Sequence, residues 1–352
     1  MKKRIISFAL AVLMLFGSAA FSSCEKKFEK YSEYSFEYFD TVTSITGYEK
    51  SQEDFDEVSK NILRELGEYH RLFTIYKRYE GLNNLCVINQ LDDGAHPTVK
   101  VDERIIDMLL YAKDIYYKTS GKVNIAMGSV LSIWHEYREE GSNDPSSAKL
   151  PPAELLEEAA KHTDIENLVI DKEAVTVFLS DPQMKLDVGA IAKGYAVEMV
   201  AKSLEAQGIT GYVLNVGGNV RTVGRKGDGE KWLAGIENPN DDGEAYLKYL
   251  ELAGESLVTS GSYQRFYVVD GKAYHHIIDS ETLMPSELYT SVSVVCKSSA
   301  DGDALSTALF CMSIEEGKTL LETIDGAEAM WLLPDGTKTL SDGFEAFVVN
   351  NG

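Results

Sequence analysis

The sequence of 352 residues predicts an α+β fold of mainly antiparallel sheets with flanking helices. Strand patterns cluster in the second half of the chain and are joined by short turns instead of alternating with helices, which is typical of antiparallel sheets. Asp270-Gly271, between two segments rich in β-branched and aromatic residues, is a strong hairpin signal. Hydrophobic residues make up 44% of the chain, enough for one large core or two smaller ones.

The first residues have the pattern of a bacterial export signal. Lys2, Lys3 and Arg4 are followed by the apolar run Ile5–Phe16 and then by small residues up to Cys24. The run is too short for a membrane span, so residues 1–23 are predicted to be a signal peptide. Cys24 follows small residues as in a lipobox, and we expect it to be lipidated. The alternative is simple cleavage and secretion.

Residues 24–33 are polar and charged, and are predicted to form a tether to the domain that spans residues 34–352. The expected location is exported, either lipid-anchored on the outer face of the bacterial cytoplasmic membrane or periplasmic. The net charge of −22 argues against a nucleic-acid partner and against a polybasic contact with lipid. Any membrane contact is expected through the lipid anchor alone. Cys86, Cys296 and Cys311 form no CxxC pair, so neither zinc nor a disulfide framework is indicated.

Elements of the first half follow from strand composition and helical periodicity. Residues 34–48 have the composition of strands. Phe55, Ile62, Leu66 and Phe73 recur at helical spacing, behind residues suited to an N-cap. A second helix is predicted from Asp102 to Gly121, a surface loop over 139–152, and a short helix from Pro152 to Ala160.

The second half is predicted to be mostly strands. The helices expected there cover residues 190–206, 301–312 and 315–324. The strands are expected at 168–170, 175–179, 212–216, 232–236, 246–252, 263–269, 273–278 and 291–296, followed by a final hairpin around 334–336.

Two segments carry possible phosphate or metal chemistry. In Met184–Tyr195, small residues precede a helix, so backbone amides and Lys193 could meet a phosphate. Taken alone, a tightly packed helix start explains this segment better. In Ala300–Ala308, Asp303 and Thr307 are four residues apart and share one helix face, a plausible partial shell for Mg²⁺. Acidic residues at a helix start are the simpler explanation when this segment is considered alone.

Three further segments contain a candidate general base, a glycine pair that could lie close to a ligand, and a group of serines. His275 and His276 end a predicted strand and should point to opposite faces, so at most one serves a given site, where it could act as a general base. Asn215–Asn219 interrupts a strand with two glycines, as happens beside a ligand or at a bulge. Thr259–Tyr263 contains serines but no GxSxG elbow, which excludes serine-hydrolase chemistry of that type.

These segments, in this order, resemble the ApbE family of FAD:protein FMN transferases from about Phe39 to the C-terminus. The matching blocks are Asp40–Thr43, Phe73–Tyr76, Val87–Asn89, Gly121–Trp134, Leu186–Gly194, Asn215–Asn219, Thr259–Tyr263, His276–Asp279 and Asp303–Thr307. The chain departs from the family pattern at Leu283, where glycine is usual, at Asn124, where aspartate is common, and at Asp40, where glycine is common.

The resemblance implies two lobes around a flavin cleft, with FAD as substrate and one Mg²⁺. By matching position, the Ala190 carbonyl, Asp303 and Thr307 would hold the metal, and His276 would activate the acceptor hydroxyl. The implied flavin contacts are Phe39, Thr74, Tyr76, Asn124, Asp187, Lys193 and Ile277.

The implied activity is Mg²⁺-dependent transfer of FMN to a threonine or serine hydroxyl of an acceptor flavoprotein, with release of AMP. The expected acceptors belong to membrane or extracellular electron transfer. Two alternatives remain at this point: an FAD pyrophosphatase that releases FMN and AMP, and a non-catalytic flavin-binding lipoprotein.

Overall fold

The computed structural model describes residues 27–240 and 243–349, and within them the chain forms eight α-helices and fifteen strands. The helices are α1 (Gln52–Phe73), α2 (Leu85–Ile88), α3 (Glu103–Lys118), α4 (Gly128–Asn143), α5 (Ala153–Ala160), α6 (Ala192–Ala206), α7 (Ser299–Phe310) and α8 (Ile314–Leu321). The strands are β1 (Glu29–Ser35), β2 (Thr43–Glu49), β3 (Val99–Lys100), β4 (Leu168–Asp171), β5 (Thr176–Leu179), β6 (Tyr212–Val216), β7 (Asn219–Val223), β8 (Trp232–Glu237), β9 (Tyr246–Leu252), β10 (Ser256–Gly261), β11 (Phe266–Val269), β12 (Lys272–His275), β13 (Ser291–Cys296), β14 (Glu328–Leu332) and β15 (Lys338–Leu340). The predicted signal peptide and Cys24 lie outside the described residues.

The predicted α+β class with antiparallel sheets is confirmed. The largest sheet has eight strands in the order β1-β2-β6-β7-β10-β13-β14-β15, and each neighbouring pair in it is antiparallel. Three smaller antiparallel sheets are formed by β3-β5-β4, β8-β9 and β11-β12. None of the described helices is long and apolar enough to cross a membrane.

Three helices cover the main sheet. Helix α1 buries Phe55, Ile62 and Leu66 on one face, and its N-cap Ser51 accepts a hydrogen bond from the backbone of Asp54. Helix α6 packs between α1 and α7, and α7 lies against β10 and β13. Ten of the twelve residues of α7 are buried, as expected for a helix enclosed by sheet and helix.

A second, smaller core stands apart from the main one. It joins α4 and α5 to the β11–β12 hairpin through Val130, Trp134, Leu156, Tyr267 and Val269. This core includes no residue of the eight-stranded sheet. A cleft can therefore form between the two cores. A third cluster, around Ile236, Leu250 and Phe344, seats the β8–β9 hairpin.

Several predicted boundaries are wrong. Strand β1 begins at Glu29, so the end of the expected tether (24–33) is instead an edge strand paired with β2. Edge strands tolerate charged residues, which made this segment look like a linker. Helix α4 was not predicted, and its last turn extends to Asn143, into the loop expected at 139–152. Gly217-Gly218 is a tight turn between β6 and β7, with positive φ at both glycines, and not an interruption of one strand.

Candidate functional site

The predicted site residues converge on two adjoining cavities between the main and the smaller core. The larger has a volume of about 350 Å³ and the smaller about 130 Å³, and they share the walls formed by Asp40, Tyr76, Asp187, Gly189, Lys193 and Arg265. Tyr76, Asn124, Asp187, Ala190, Lys193, His276, Ile277, Asp303 and Thr307 line the larger cavity. Phe39 and Thr74 line the smaller one. All the predicted site residues that the structure describes therefore meet in one place.

The loop that carries Asp187 is held on both sides by hydrogen bonds. The Asn89 amide donates to the Leu186 carbonyl at 2.8 Å and accepts from the Leu186 backbone at 2.7 Å. The Asp187 backbone donates to the Ile125 carbonyl at 2.8 Å. Burial raises the pKa of Asp187, although its carboxylate accepts a hydrogen bond of 2.8 Å from the backbone of Gly189. The carboxylate is thus fixed at the junction of the two cavities.

A close approach of α6 and α7 places the Asp303 carboxylate. Asp303 is 4% exposed, and its Oδ2 accepts from the backbone of Gly194 at 2.8 Å. A Cβ at position 194 would lie 2.3 Å from the Ser299 carbonyl oxygen, so only glycine permits this contact. The Lys193 ammonium lies 3.4 Å from Oδ1 of the same carboxylate.

A buried ion pair fixes the start of α7. The Arg221 guanidinium donates to Glu198 at 3.0 Å, and both side chains are almost fully buried. The same carboxylate oxygen of Glu198 accepts from the backbone of Ser299 at 2.8 Å. Since Ser299 is the first residue of α7, this pair positions the helix that carries Asp303. It supports the site from behind without lining the cavity.

The oxygen atoms around Asp303 fit a small hard cation. Thr307 lies one turn further along α7, its hydroxyl 3.2 Å from the Asp303 carbonyl oxygen, and both side chains line the cavity together with Ala190. Asn219 is 1% exposed and contacts Asp303 at 3.3 Å, while its own Oδ1 has no hydrogen-bond partner. A buried amide oxygen without a partner, beside a carboxylate, is suited to a metal or to a metal-bound water.

This donor set suits Mg²⁺ better than a transition metal. Among residues 27–240 and 243–349, no group of three or more His, Cys, Asp or Glu side chains is arranged to hold a metal. Mg²⁺ needs only one or two protein carboxylates when waters and substrate phosphates supply the other ligands.

The two histidines point in different directions. His275 is 9% exposed, its Nε2 lies 2.7 Å from the Ser286 carbonyl oxygen, and its Nδ1 accepts from the backbone of Ile277. Both of its ring nitrogens are therefore used inside the protein. His276, just past the end of β12, lines the larger cavity, with Nδ1 3.3 Å from the Arg265 carbonyl oxygen. An Nδ1–H that donates to this carbonyl leaves Nε2 free to accept a proton.

The surroundings of His276 favour the neutral imidazole. Burial is the main cause that lowers its pKa to about 3, and the positive charges of Arg265 and Arg138 act in the same direction. A neutral imidazole at physiological pH is the form that can accept a proton from a hydroxyl.

The smaller cavity is walled by the end of α1 and by the turn before β2. Phe39 and Asp40 both have positive φ, and the Phe39 backbone donates to Nδ1 of His70 at 3.1 Å. The Thr74 hydroxyl accepts from the Tyr76 backbone, which shapes the opposite wall. In the larger cavity, the Asn124 amide donates to the Thr163 carbonyl and accepts from Ala126, so much of its hydrogen-bonding capacity is used to hold its own loop.

The cavity residues that were not predicted include Lys122, Arg138, Asn219 and Arg265. Asn219 ends the recognised Asn215–Asn219 block and could have been proposed from it. Lys122 forms ion pairs with Asp279 and Glu281 at 3.0 Å. Arg138 lies on α4 and Arg265 directly before β11, far apart in the chain. A single arginine outside a recognised motif gives no sequence signal for a site.

Comparison with known proteins places this chain in a family. The model of the ApbE family matches residues 39–331. An FAD:protein FMN transferase of Klebsiella pneumoniae is 32% identical over 273 residues, which cover 74% of this chain and 81% of the relative. A protein of the same name from Treponema pallidum is 31% identical over 264 residues, covering 71% of each chain.

Solved structures give the same result for the fold. The ApbE protein of Thermotoga maritima superposes with a TM-score of 0.78 at 27% identity, covering 92% of this chain and all of that one. The flavin transferase ApbE of Vibrio cholerae superposes with a TM-score of 0.74 at 25% identity, covering 91% of this chain and 99% of that one.

Proposed function

The chain belongs to the ApbE family, and from this we propose that it is an FAD:protein FMN transferase. It would move FMN from FAD to a threonine or serine hydroxyl of an acceptor flavoprotein and release AMP. The observation that carries the proposal is that the Asp303 carboxylate, the Thr307 hydroxyl and the His276 imidazole face one cavity. A base, an oxygen-ligand site for a cation and room for a substrate are what such a transfer requires.

The predicted cation ligands fit the structure. Asp303, Thr307 and the Ala190 carbonyl would hold Mg²⁺, with the Asn219 amide oxygen beside them. When bound, Mg²⁺ would supply positive charge to the pyrophosphate and to the departing AMP. Lys193, which lies 3.4 Å from Asp303, would add a fixed positive charge at the same end of the cavity.

The remaining steps are bond exchange at the phosphorus and transfer of a proton to a residue of this chain. The acceptor hydroxyl attacks the phosphorus of the FMN moiety, the bond from that phosphorus to the oxygen of AMP breaks, and the hydroxyl proton passes to Nε2 of His276. The hydrogen bond from Nδ1 fixes the tautomer, and the lowered pKa keeps the imidazole neutral, so Nε2 is unprotonated when the acceptor binds. Positioning and electrostatics carry most phosphoryl-type transfers, so this small set of side chains is sufficient.

The acceptor and the cellular location are proposed from the sequence. An export signal followed by Cys24 supports a lipid-anchored enzyme outside the cytoplasmic membrane, or in the periplasm. Acceptors reachable from there would be flavoproteins of membrane or extracellular electron transfer.

Incubation of the purified chain with FAD, Mg²⁺ and a candidate acceptor tests the proposal. Flavin fluorescence that stays with the acceptor band in a denaturing gel is the expected result. Free FMN and AMP in equal amounts, without a labelled acceptor, would instead indicate the pyrophosphatase.

A further inference from the structure

Two arginines in the cavity wall have no carboxylate partner. Arg138 lies on α4, Arg265 precedes β11, and both line the larger cavity. Among the ion pairs of the described residues, with a limit of 4.0 Å, neither guanidinium takes part. The other two cavity cations are paired: Lys122 with Asp279, and Lys193 with Asp303.

These arginines are unexpected in so acidic a chain. The protein has 56 acidic and 34 basic residues, so carboxylates to pair with an arginine are plentiful. Arg138 and Arg265 instead lie within each other's field. Burial, followed by the charge of Arg265, lowers the pKa of Arg138, while Glu139 and Asp187 act in the opposite direction without forming an ion pair with it. Arg138 is partly buried, whereas Arg265 is exposed. Like charges repel each other, and an anion between the two guanidinium groups would offset that repulsion.

The hydrogen bonds of both guanidinium groups go to acceptors other than carboxylates. Nη2 of Arg138 donates to Nδ1 of His135 at 2.8 Å, and Nε2 of His135 lies 3.2 Å from Glu139. Nη2 of Arg265 donates to the Asp40 carbonyl at 3.4 Å. Each guanidinium has five N–H donors, so most of them remain available for an anion.

The position of the pair relative to His276 indicates which anion. The backbone of Arg265 holds His276 through its carbonyl oxygen, and the charges of Arg265, Arg138 and Lys193 all act on the imidazole. A base that deprotonates the attacking hydroxyl must lie beside the phosphorus that is attacked. The anion nearest these arginines is then the phosphoryl group in transfer, and guanidinium groups match the geometry of phosphate oxygens.

We propose that Arg138 and Arg265 form the binding site for the phosphoryl oxygens of the FMN moiety. This assignment rests on the proposed function for the identity of the substrate. In the transfer, the arginines would stabilise the charge on the equatorial oxygens while the phosphorus exchanges the AMP oxygen for the acceptor oxygen.

Binding of FMN and of riboflavin, which lacks the phosphate, tests this without any turnover. Both flavins are titrated into full-length protein without its signal peptide, without Mg²⁺ or acceptor, and flavin fluorescence is followed. Arg138→Ala and Arg265→Ala should each weaken FMN binding by about tenfold or more, the size expected for a lost hydrogen bond to a charged group. Riboflavin binding should change little. Arg225→Ala, which removes an exposed arginine of the β7–β8 loop, is the control for net charge and should alter neither.

Each outcome decides the assignment. Equal weakening for FMN and riboflavin would overturn it, because the arginines would then act through the shape of the flavin site. Unchanged binding of both flavins, with a raised KM for the acceptor, would also overturn it and assign the pair to an acidic group of the acceptor. The unaltered protein could also bind FMN more tightly than riboflavin, lose this preference in the variants, and yet transfer no FMN. That result would support the phosphoryl site and reject the proposed transferase.

Discussion

The backbone of Gly194 donates a hydrogen bond of 2.8 Å to Oδ2 of Asp303, and this bond joins the first turn of α6 to α7. The two helices can approach closely enough for this bond because Gly194 has no side chain. One oxygen of the carboxylate is thereby fixed, and Oδ1 remains directed towards Lys193 and Asn219. The candidate cation site is therefore set by helix packing more than by a loop.

His276 and His275 form a matched pair of variants. His276→Ala should slow transfer by roughly 10²- to 10⁴-fold, the usual contribution of a general base, while FAD affinity changes little. His275→Ala should keep most of the transfer rate but lower stability, because His275 is buried and hydrogen-bonded to the Ser286 carbonyl. Rates at saturating FAD and Mg²⁺, with thermal melts of both variants, provide the comparison. If the His275→Ala variant were inactive and the His276→Ala variant active and well folded, His276 would not be the base.

The protonation of His276 should be unusual in the free protein. Its pKa is lowered from 6.5 to about 3, so its imidazole should stay neutral between pH 8 and about pH 4 in an NMR titration of labelled histidine. Because the unfolded chain takes up this proton near pH 6.5, this residue makes the folded state less stable as the pH falls from about 6.5 towards 3. Arg138→Ala removes one nearby positive charge and should raise the pKa. A pKa near 6.5 in the unaltered protein would contradict the buried, cation-flanked environment.

Arg221→Ala tests the support behind α7. The substitution leaves the Glu198 carboxylate buried without its main partner, and should lower the free energy of unfolding by about 3–5 kcal/mol. Adding Glu198→Gln should recover a large part of the loss, because the remaining buried group is then uncharged. Urea denaturation at neutral pH measures both variants. A loss below about 1 kcal/mol for Arg221→Ala would show that the pair does not hold α7.

Lipidation of Cys24 is a separate prediction from the sequence. Labelled fatty acid should enter the unaltered protein in a bacterial host and should not enter Cys24→Ser. The expected consequence is a move of the variant from the membrane fraction to the soluble fraction. A mature N-terminus at any residue other than Cys24 would leave simple secretion as the explanation.

Parts of the fold with strong local signals were predictable from sequence. Helix α1 has a capped start and an apolar stripe, and β13 is a short segment of valines and small residues, so both match their predicted positions closely. Strands β7 and β10 were missed because they contain polar residues such as Asn219 and Thr259, and their pairing on both sides depends on the whole sheet.

The site was predictable where the residue lay in a recognised block or directly beside one, as Phe39 does. Asp303, Thr307 and His276 come from such blocks, and the structure brings them to the same cavity. Arg138 and Arg265 are brought together by the packing of α4 against the β11–β12 hairpin. That packing depends on distant contacts, so no local pattern could have paired them.

The most direct test of the transferase uses the intact mass of an acceptor, together with the ratio of AMP released to FMN incorporated. With FAD and Mg²⁺, the unaltered protein should raise the acceptor mass by that of FMN less one water, and should release one AMP for each FMN incorporated. Asp303→Ala removes the only carboxylate among the proposed Mg²⁺ ligands, so this variant should fold normally and transfer nothing. Metal-independent transfer by Asp303→Ala, or release of AMP with free FMN while competent acceptor stays unmodified, would contradict the account.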